Sequence, residues 1–256
     1  MRNFGRLRGV AGMPAVPLGI QNVKRTGKAS GPDHNRSDEM SAEGKAMDQN
    51  LRKIMDKRIE KTIENLKKNR MEAYYAPTKA EVVSLVDQLC RPGETVAAGG
   101  SMTLFEAGVI DHLNSGKYHH LDRYAKNADV QRVMREAFFA DTYFTSTNAL
   151  TEEGELYNVD GNGNRVAAML FGPKQVIVVA GYNKIVADGE EAVRRVEKVA
   201  APANAVRLGL PAPCATVGEC VHCRSDGRIC CEYVRMGLQR TPGRVKVSMV
   251  GETLGY

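Results

Sequence analysis

The chain has 256 residues, 43% of them hydrophobic and 26% charged, with a formal charge of +6 and no tryptophan. That size and mix describe a globular core able to stand without disulfide staples. No run of about 18 apolar residues occurs, so no membrane-spanning helix is expected, and nothing signals secretion, so a cytoplasmic location is expected.

The excess charge is local. Arg2, Arg6, Arg8, Lys24, Arg25 and Lys28 precede the first acid, Asp33. Without them the chain is near balance, and no basic groove with interleaved aromatics is present, which argues against nucleic acid. Residues 1–46 are rich in Gly, Pro, Ser and charge and read as a disordered or non-native N-terminal extension. A transit peptide and sequence upstream of a start at Met47 are the two readings of it. Residues 47–256 read as one α/β domain.

In chain order, Leu51, Met55, Ile59, Ile63 and Leu66 fall on one helical face between Asp48 and Arg70. "MEAYYAP" is a short strand. "TKAE" is a capping box opening a helix through Cys90. "TVAAG" (Thr95 to Gly99) is a buried strand, followed by a helix from about Leu104 to Leu113. "KYHHL" is a weaker strand, and Asp129 to Ala140 an amphipathic helix. "DTYFTST" and "QVIVVAG" (Gln175 to Gly181) are strands, and "GEEAVRRVEKVAA" is the last long helix. "EYVRMGLQ" and "RVKVSMVG" alternate around "RTPG" and predict a C-terminal β-hairpin. Strand–helix–strand order elsewhere predicts a mostly parallel open sheet with helices on both faces.

Two glycine-rich stretches stand at strand ends, where open parallel sheets bind ligands. In "AAGGSMTLFE", Gly99, Gly100, Ser101 and Thr103 pass from a buried strand into a helix whose N-terminus would favour an anion. Thr103 and Glu106 also fit a capping box; a tight turn before a capped helix is the plainer reading. In "VDGNGNR", Asp160, Gly161, Asn162, Asn164 and Arg165 form a polar turn, and Arg165 suits a carboxylate or phosphate. Asn148 lies upstream, and Asn183 and Lys184 follow the strongest strand. These twelve residues are the candidate ligand contacts. Glu152, Glu153 and Asp160 flank the second loop and are the candidates for proton transfer. No Ser–His–Asp arrangement is inferable from His34, His112, His119, His120 and His222. No flavin or nicotinamide fingerprint is present.

"GGSMTLFEAG", the long stretch from Ser146 to Val186 and "PCATVGECVHCRSDGRIC" together resemble the LUD (lactate-utilisation) domain family, in its stand-alone bacterial form. The resemblance implies a fold shared with CoA transferases and ribose-5-phosphate isomerase. It also implies a link to lactate oxidation in multi-protein systems that bear iron–sulfur clusters, with partner subunits of such a system.

The segment from Cys214 to Cys231 holds five of the six cysteines. Cys214, Cys220, Cys223 and Cys230 have the count and spacing for zinc or an iron–sulfur cluster. His222 is a substitute ligand, and Cys231 points away if the chain is extended. Disulfides and free thiols are the rival readings. Cys90 closes a helix and reads as core packing. Two functions follow: an enzyme or enzyme subunit acting on a small anionic metabolite (a hydroxy acid, sugar phosphate or acyl-CoA), or a non-catalytic metal module serving as an electron-transfer or assembly partner.

Overall fold

A computed structural model describes residues 47–256; the N-terminal 1–46, with His34, lies outside the described residues. The elements are α1 (Gln49–Lys68), β1 (Glu72–Ala76), α2 (Ala80–Leu89), β2 (Thr95–Ala98), α3 (Met102–Glu106), α4 (Val109–Leu113), β3 (His119–Leu121), α5 (Val130–Glu136), β4 (Thr142–Thr145), β5 (Ala149–Thr151), β6 (Leu156–Asp160), α6 (Asn164–Leu170), β7 (Gln175–Gly181), β8 (Ile185–Val186), α7 (Gly189–Arg195), α8 (Ala201–Arg207), α9 (Pro213–Val217), β9 (Glu232–Met236) and β10 (Val245–Val250).

Six strands form one sheet in the order β1-β10-β7-β4-β2-β3, and every neighbouring pair is parallel. Strand β7 shows why. Val176, Val178 and Ala180 enter a core with Ile59, Leu66 and Met169, while Ile177 and Val179 enter another with Val82, Leu104 and Ile110. A strand that is apolar on both faces has to be covered on both. Helices α1 and α6 supply residues to the first core, and α2, α3 and α4 to the second. The expected parallel sheet with helices on both faces is the fold observed.

A second sheet has the order β8-β5-β6-β9, with β5 parallel to β8 and antiparallel to β6. The sequence pattern does not reveal it, because β5 spans three residues and β8 two, too short for a period to show. Helix α7, a π-helical turn over Val196–Ala200 and α8 run on without a break. Pro202, with no N–H to give to the preceding turn, is the second residue of α8, one residue past the widened turn.

Three expectations are corrected. The C-terminal segments do not make a hairpin: β9 pairs antiparallel with β6, whereas β10 lies between β1 and β7. Val245, Val247, Met249 and Val250 are all buried, and a strand with no solvent face does not sit at an edge. The helix expected over Leu104 to Leu113 is two short helices, broken at Gly108 with φ 68°. Neither capping box forms. Thr78 Oγ1 meets the Glu81 carboxylate at 3.3 Å, with no side-chain bond to the α2 cap, while buried Thr103 donates to Leu254 O and Glu106 accepts from Gly255 N.

Candidate functional site

The carboxyl ends of β2, β3, β4 and β7 open on one edge of the parallel sheet, and beyond them lies a cavity of about 210 Å³. Gly100, Ser101 and Thr103 arrive after β2, Arg123 after β3, Ser146 to Asn148 after β4, and Lys184 after β7. The second sheet adds Asp160, Gly161, Asn162, Asn164 and Arg165 from the end of β6, and α8 adds Asn204 and Arg207. The two glycine-punctuated loops therefore meet at one rim.

Of the twelve candidate ligand residues, ten line this cavity; Gly99 and Asn183 do not. Gly99 has a packing reason instead. A Cβ there would stand 2.9 Å from Tyr143 Oη and 3.3 Å from Arg165 Cδ, so a larger residue would push on both side chains. Asn183 fastens the last segment of the chain: its Oδ1 accepts from Leu254 N at 3.1 Å and its Nδ2 donates to Gly255 O at 3.1 Å. That anchoring brings Tyr256 to the cavity wall. Tyr256 Oη is buried with no hydrogen-bond partner among the described residues.

Arg165 is central but fully engaged. Nε donates to Asp160 Oδ1 at 2.9 Å, Nη1 to Ser146 O at 2.8 Å and Asn158 Oδ1 at 2.6 Å, and Nη2 to Asn148 Oδ1 at 2.8 Å and Val159 O at 3.3 Å. A guanidinium has five N–H donors, and all are used within the protein. Arg165 ties β6, the β4 end and its own turn together and keeps no donor for a ligand. The basic side chains left facing the cavity are Arg123, Lys184 and Arg207. Among the described residues the only acid in the lining is Asp160, which is paired with Arg165 and also accepts from Val166 N at 2.9 Å. The helix terminus expected to favour an anion is α3, five residues long. Its dipole is slight, and side chains supply the positive charge.

Lys184 is 2% exposed. Nζ donates to Thr103 Oγ1 at 2.9 Å and Ser146 Oγ at 3.0 Å. Burial first, then the charges of Arg195 and Arg165, push its ammonium down to about 7.

Two of the three proton-transfer candidates are elsewhere. Glu152 bridges to α1, 2.6 Å from Arg58 Nε and 2.8 Å from Lys61 Nζ, and the hydrogen bond from Lys61 leads in holding its carboxyl below the usual range. Glu153 is exposed. Neither lines the cavity, because the short strands β5 and β6 turn between them and Asp160. Outside the cavity too, His112 Nε2 meets Asp87 Oδ1 at 2.7 Å, and His120 Nδ1 meets Asn114 Oδ1 at 2.7 Å.

The cysteine segment is fastened to the same region. Cys231 N donates to Asp160 O at 2.9 Å, Cys220 N donates to Glu197 O in the π-helical turn at 2.9 Å, and Ile229 lines the cavity. Arg228 binds the carbonyls of Cys223 and Cys230 with one guanidinium. Burial pushes the Cys230 thiol up to about 11, and the nearby sulfurs of Cys220, Cys214 and Cys223 add to it. Burial also raises Cys214, with Cys223 and Cys220 adding, so the four expected ligands lie within electrostatic reach of one another. Among the described residues the ligand atoms already gathered within 4.8 Å are those of Glu197, Cys220 and His222, rather than the four thiols. Cys90 is buried in the second core, as expected.

A family model described as the LUD domain matches residues 59–250. The chain belongs to the LUD domain family. Among solved structures it is similar to a DUF162 family protein from Deinococcus radiodurans, at 16% identity over 78% of this chain and 97% of that one, with a TM-score of 0.43. It is also similar to eIF2B beta from Chaetomium thermophilum, at 15% identity over 45% of this chain and 42% of that one, TM-score 0.34. For eIF2B delta from the same organism the values are 19%, 42% and 48%, with a TM-score of 0.28. No curated protein matches the chain. No helix among the described residues is long and apolar enough to cross a membrane.

The LUD domain match takes in both glycine loops and the cysteine segment. Among the cavity residues that sequence reasoning missed, Arg123, Arg207 and Tyr256 matter most for charge and hydrogen bonding. Arg123 had a signal, since it follows "HHL" at the carboxyl end of a parallel strand. Arg207 and Tyr256 reach the cavity through helix and tail packing, for which no local pattern exists.

Proposed function

We propose that this LUD domain binds a small anionic metabolite in the cavity between Gly100–Thr103 and Asp160–Arg165, as an enzyme or a subunit of a lactate-oxidation-type system in the cytoplasm. The carrying observation is charge: the guanidinium groups of Arg123 and Arg207 face a cavity in which the one acid among the described residues, Asp160, is already paired. Direct contacts to the anion fall to Arg123 and Arg207, while Arg165 positions the loop. The buried Tyr256 Oη, which lies beside Arg207, is a further donor. A volume of about 210 Å³ is below the roughly 300–1,000 Å³ of drug-sized ligand sites. That favours a hydroxy acid, an oxo acid or a compact sugar phosphate over a whole acyl-CoA.

The test is thermal stabilisation by L-lactate, pyruvate and ribose 5-phosphate. A ligand at a hundred times its Kd adds about 2.7 kcal/mol of stability. The shift should vanish in Arg207→Ala and Arg123→Ala. Absence of any shift with all three ligands removes the reading.

A second reading, of a metal module serving electron transfer or assembly, is favoured by Arg228 gathering the Cys223 and Cys230 carbonyls. Cys214, Cys220, Cys223 and Cys230 are a donor set suited to zinc or a cubane cluster, and Glu197 and His222 are alternative partners for Cys220. Anaerobic purification followed by metal analysis and visible absorption separates the cases. Colourless protein with stoichiometric zinc excludes the cluster; metal-free protein excludes both.

A further inference from the structure

Lys184 is held so that its neutral form fits its surroundings and its charged form does not. Thr103 Oγ1 gives its own proton to Leu254 O at 3.3 Å, and Ser146 Oγ gives its own to Thr147 O at 3.5 Å. Both hydroxyls therefore accept from Lys184 Nζ. A neutral amine has two N–H donors and a lone pair; an ammonium has three donors. Two acceptors match the amine and leave its lone pair free. No carboxylate is in ion-pair contact with Lys184 among the described residues: the cavity's acid, Asp160, is on Arg165, and Glu106 raises the lysine only weakly. The opposing charges are fixed. Arg165 is held by its five donor contacts, and Arg195 by Asn148 O at 2.5 Å and Asn183 O at 3.1 Å. A desolvated lysine beside other cations is the environment that makes an amine nucleophilic near neutral pH.

We propose that Lys184 is a nucleophile that forms an imine with an aldehyde or ketone carbon of the bound anion. The inference rests on the cavity being an anion site. The Nζ lone pair attacks the carbonyl carbon and the C–N bond forms as the C=O bond opens. The oxygen then leaves as water with both amine hydrogens, so no oxidant or reductant is consumed. The substrate class is thereby narrowed to small anions that carry a carbonyl: 2-oxo acids or open-chain sugar phosphates.

The test uses the full chain with pyruvate in one arm and ribose 5-phosphate in the other, each reduced with cyanoborohydride and mapped by peptide mass spectrometry. The expected result is one reduced adduct at Lys184, absent from Lys184→Met, with exposed lysines such as Lys61 unmodified. The arm that traps identifies the class. If Lys184→Met does not fold, the pH dependence of trapping in the native chain decides. Half-maximal trapping near pH 7 supports the inference, and a midpoint near the ordinary lysine value of about 10.4 overturns it. Thermal stabilisation by either compound without an adduct at Lys184 overturns the nucleophile and leaves the anion site standing. Neither stabilisation nor adduct removes both.

Discussion

Arg165 Nε stands 2.9 Å from Asp160 Oδ1, five residues back along the chain, and the pair closes the turn that carries Asn162. The same guanidinium reaches Ser146 O and Asn148 Oδ1 after β4. One side chain thereby locks the second sheet to the working edge of the first.

Arg165→Ala should therefore be a stability mutation. Removing one member of a buried, hydrogen-bonded pair costs about 3–5 kcal/mol, readable as a fall in the urea midpoint. Arg165→Lys should recover little, because an ammonium cannot reproduce the planar fork. A wild-type midpoint in either variant would refute the locking role.

Arg207→Ala should behave in the opposite way. Arg207 is exposed, its Nε and Nη2 donate to Asn204 Oδ1, three residues earlier, and it stands beside the Tyr256 hydroxyl. Unliganded stability should stay within about 0.5 kcal/mol of wild type, while the ligand-induced thermal shift is lost. Calorimetric titration with the stabilising anion checks both.

Glu152→Gln should lower stability by about 1 kcal/mol, since its partners Arg58 and Lys61 are partly exposed and screened. It should leave ligand binding unchanged. A loss of binding in this variant would return Glu152 to the site.

Lys184 gives a pH signature. Its folded value, about 7, lies below the unfolded value of about 10.4, so between them the unfolded chain binds more protons. Stability should rise with pH above 7, by up to about 1.4 kcal/mol per unit. The window closes as thiols ionise in the unfolded chain. Burial raises Cys90 and Cys230 from 9.0 to about 11, and their contribution has the opposite sign. Urea midpoints between pH 7 and 8.5 should slope upward in the native chain and flatten in Lys184→Met.

If the cysteine segment holds metal, Cys220→Ser and Cys230→Ser should each lose it, while Cys231→Ser and Cys90→Ser should not. Thiols with raised values bind metal only on losing their protons, so loading should strengthen with rising pH. Metal analysis of the four variants after dialysis checks the assignment.

Much of this molecule was legible in its local pattern. The β7 run "QVIVVAG" can only be a strand covered on both faces, and glycines and asparagines at strand ends mark where the chain turns and a ligand can approach. Periodicity and turn chemistry act over a few residues, so the sequence by itself determined the parallel sheet, most of its helices and both loops of the cavity. The tertiary structure alone decided that β9 and β10 join different sheets, that Arg165 is bound on every side, and that Arg207 and Tyr256 complete the wall. It also decided that Lys184 lies buried among cations with two hydroxyl acceptors. The reason is physical: what a charged group does depends on how many of its donors are satisfied and how much water it keeps. Both are set by neighbours distant along the chain.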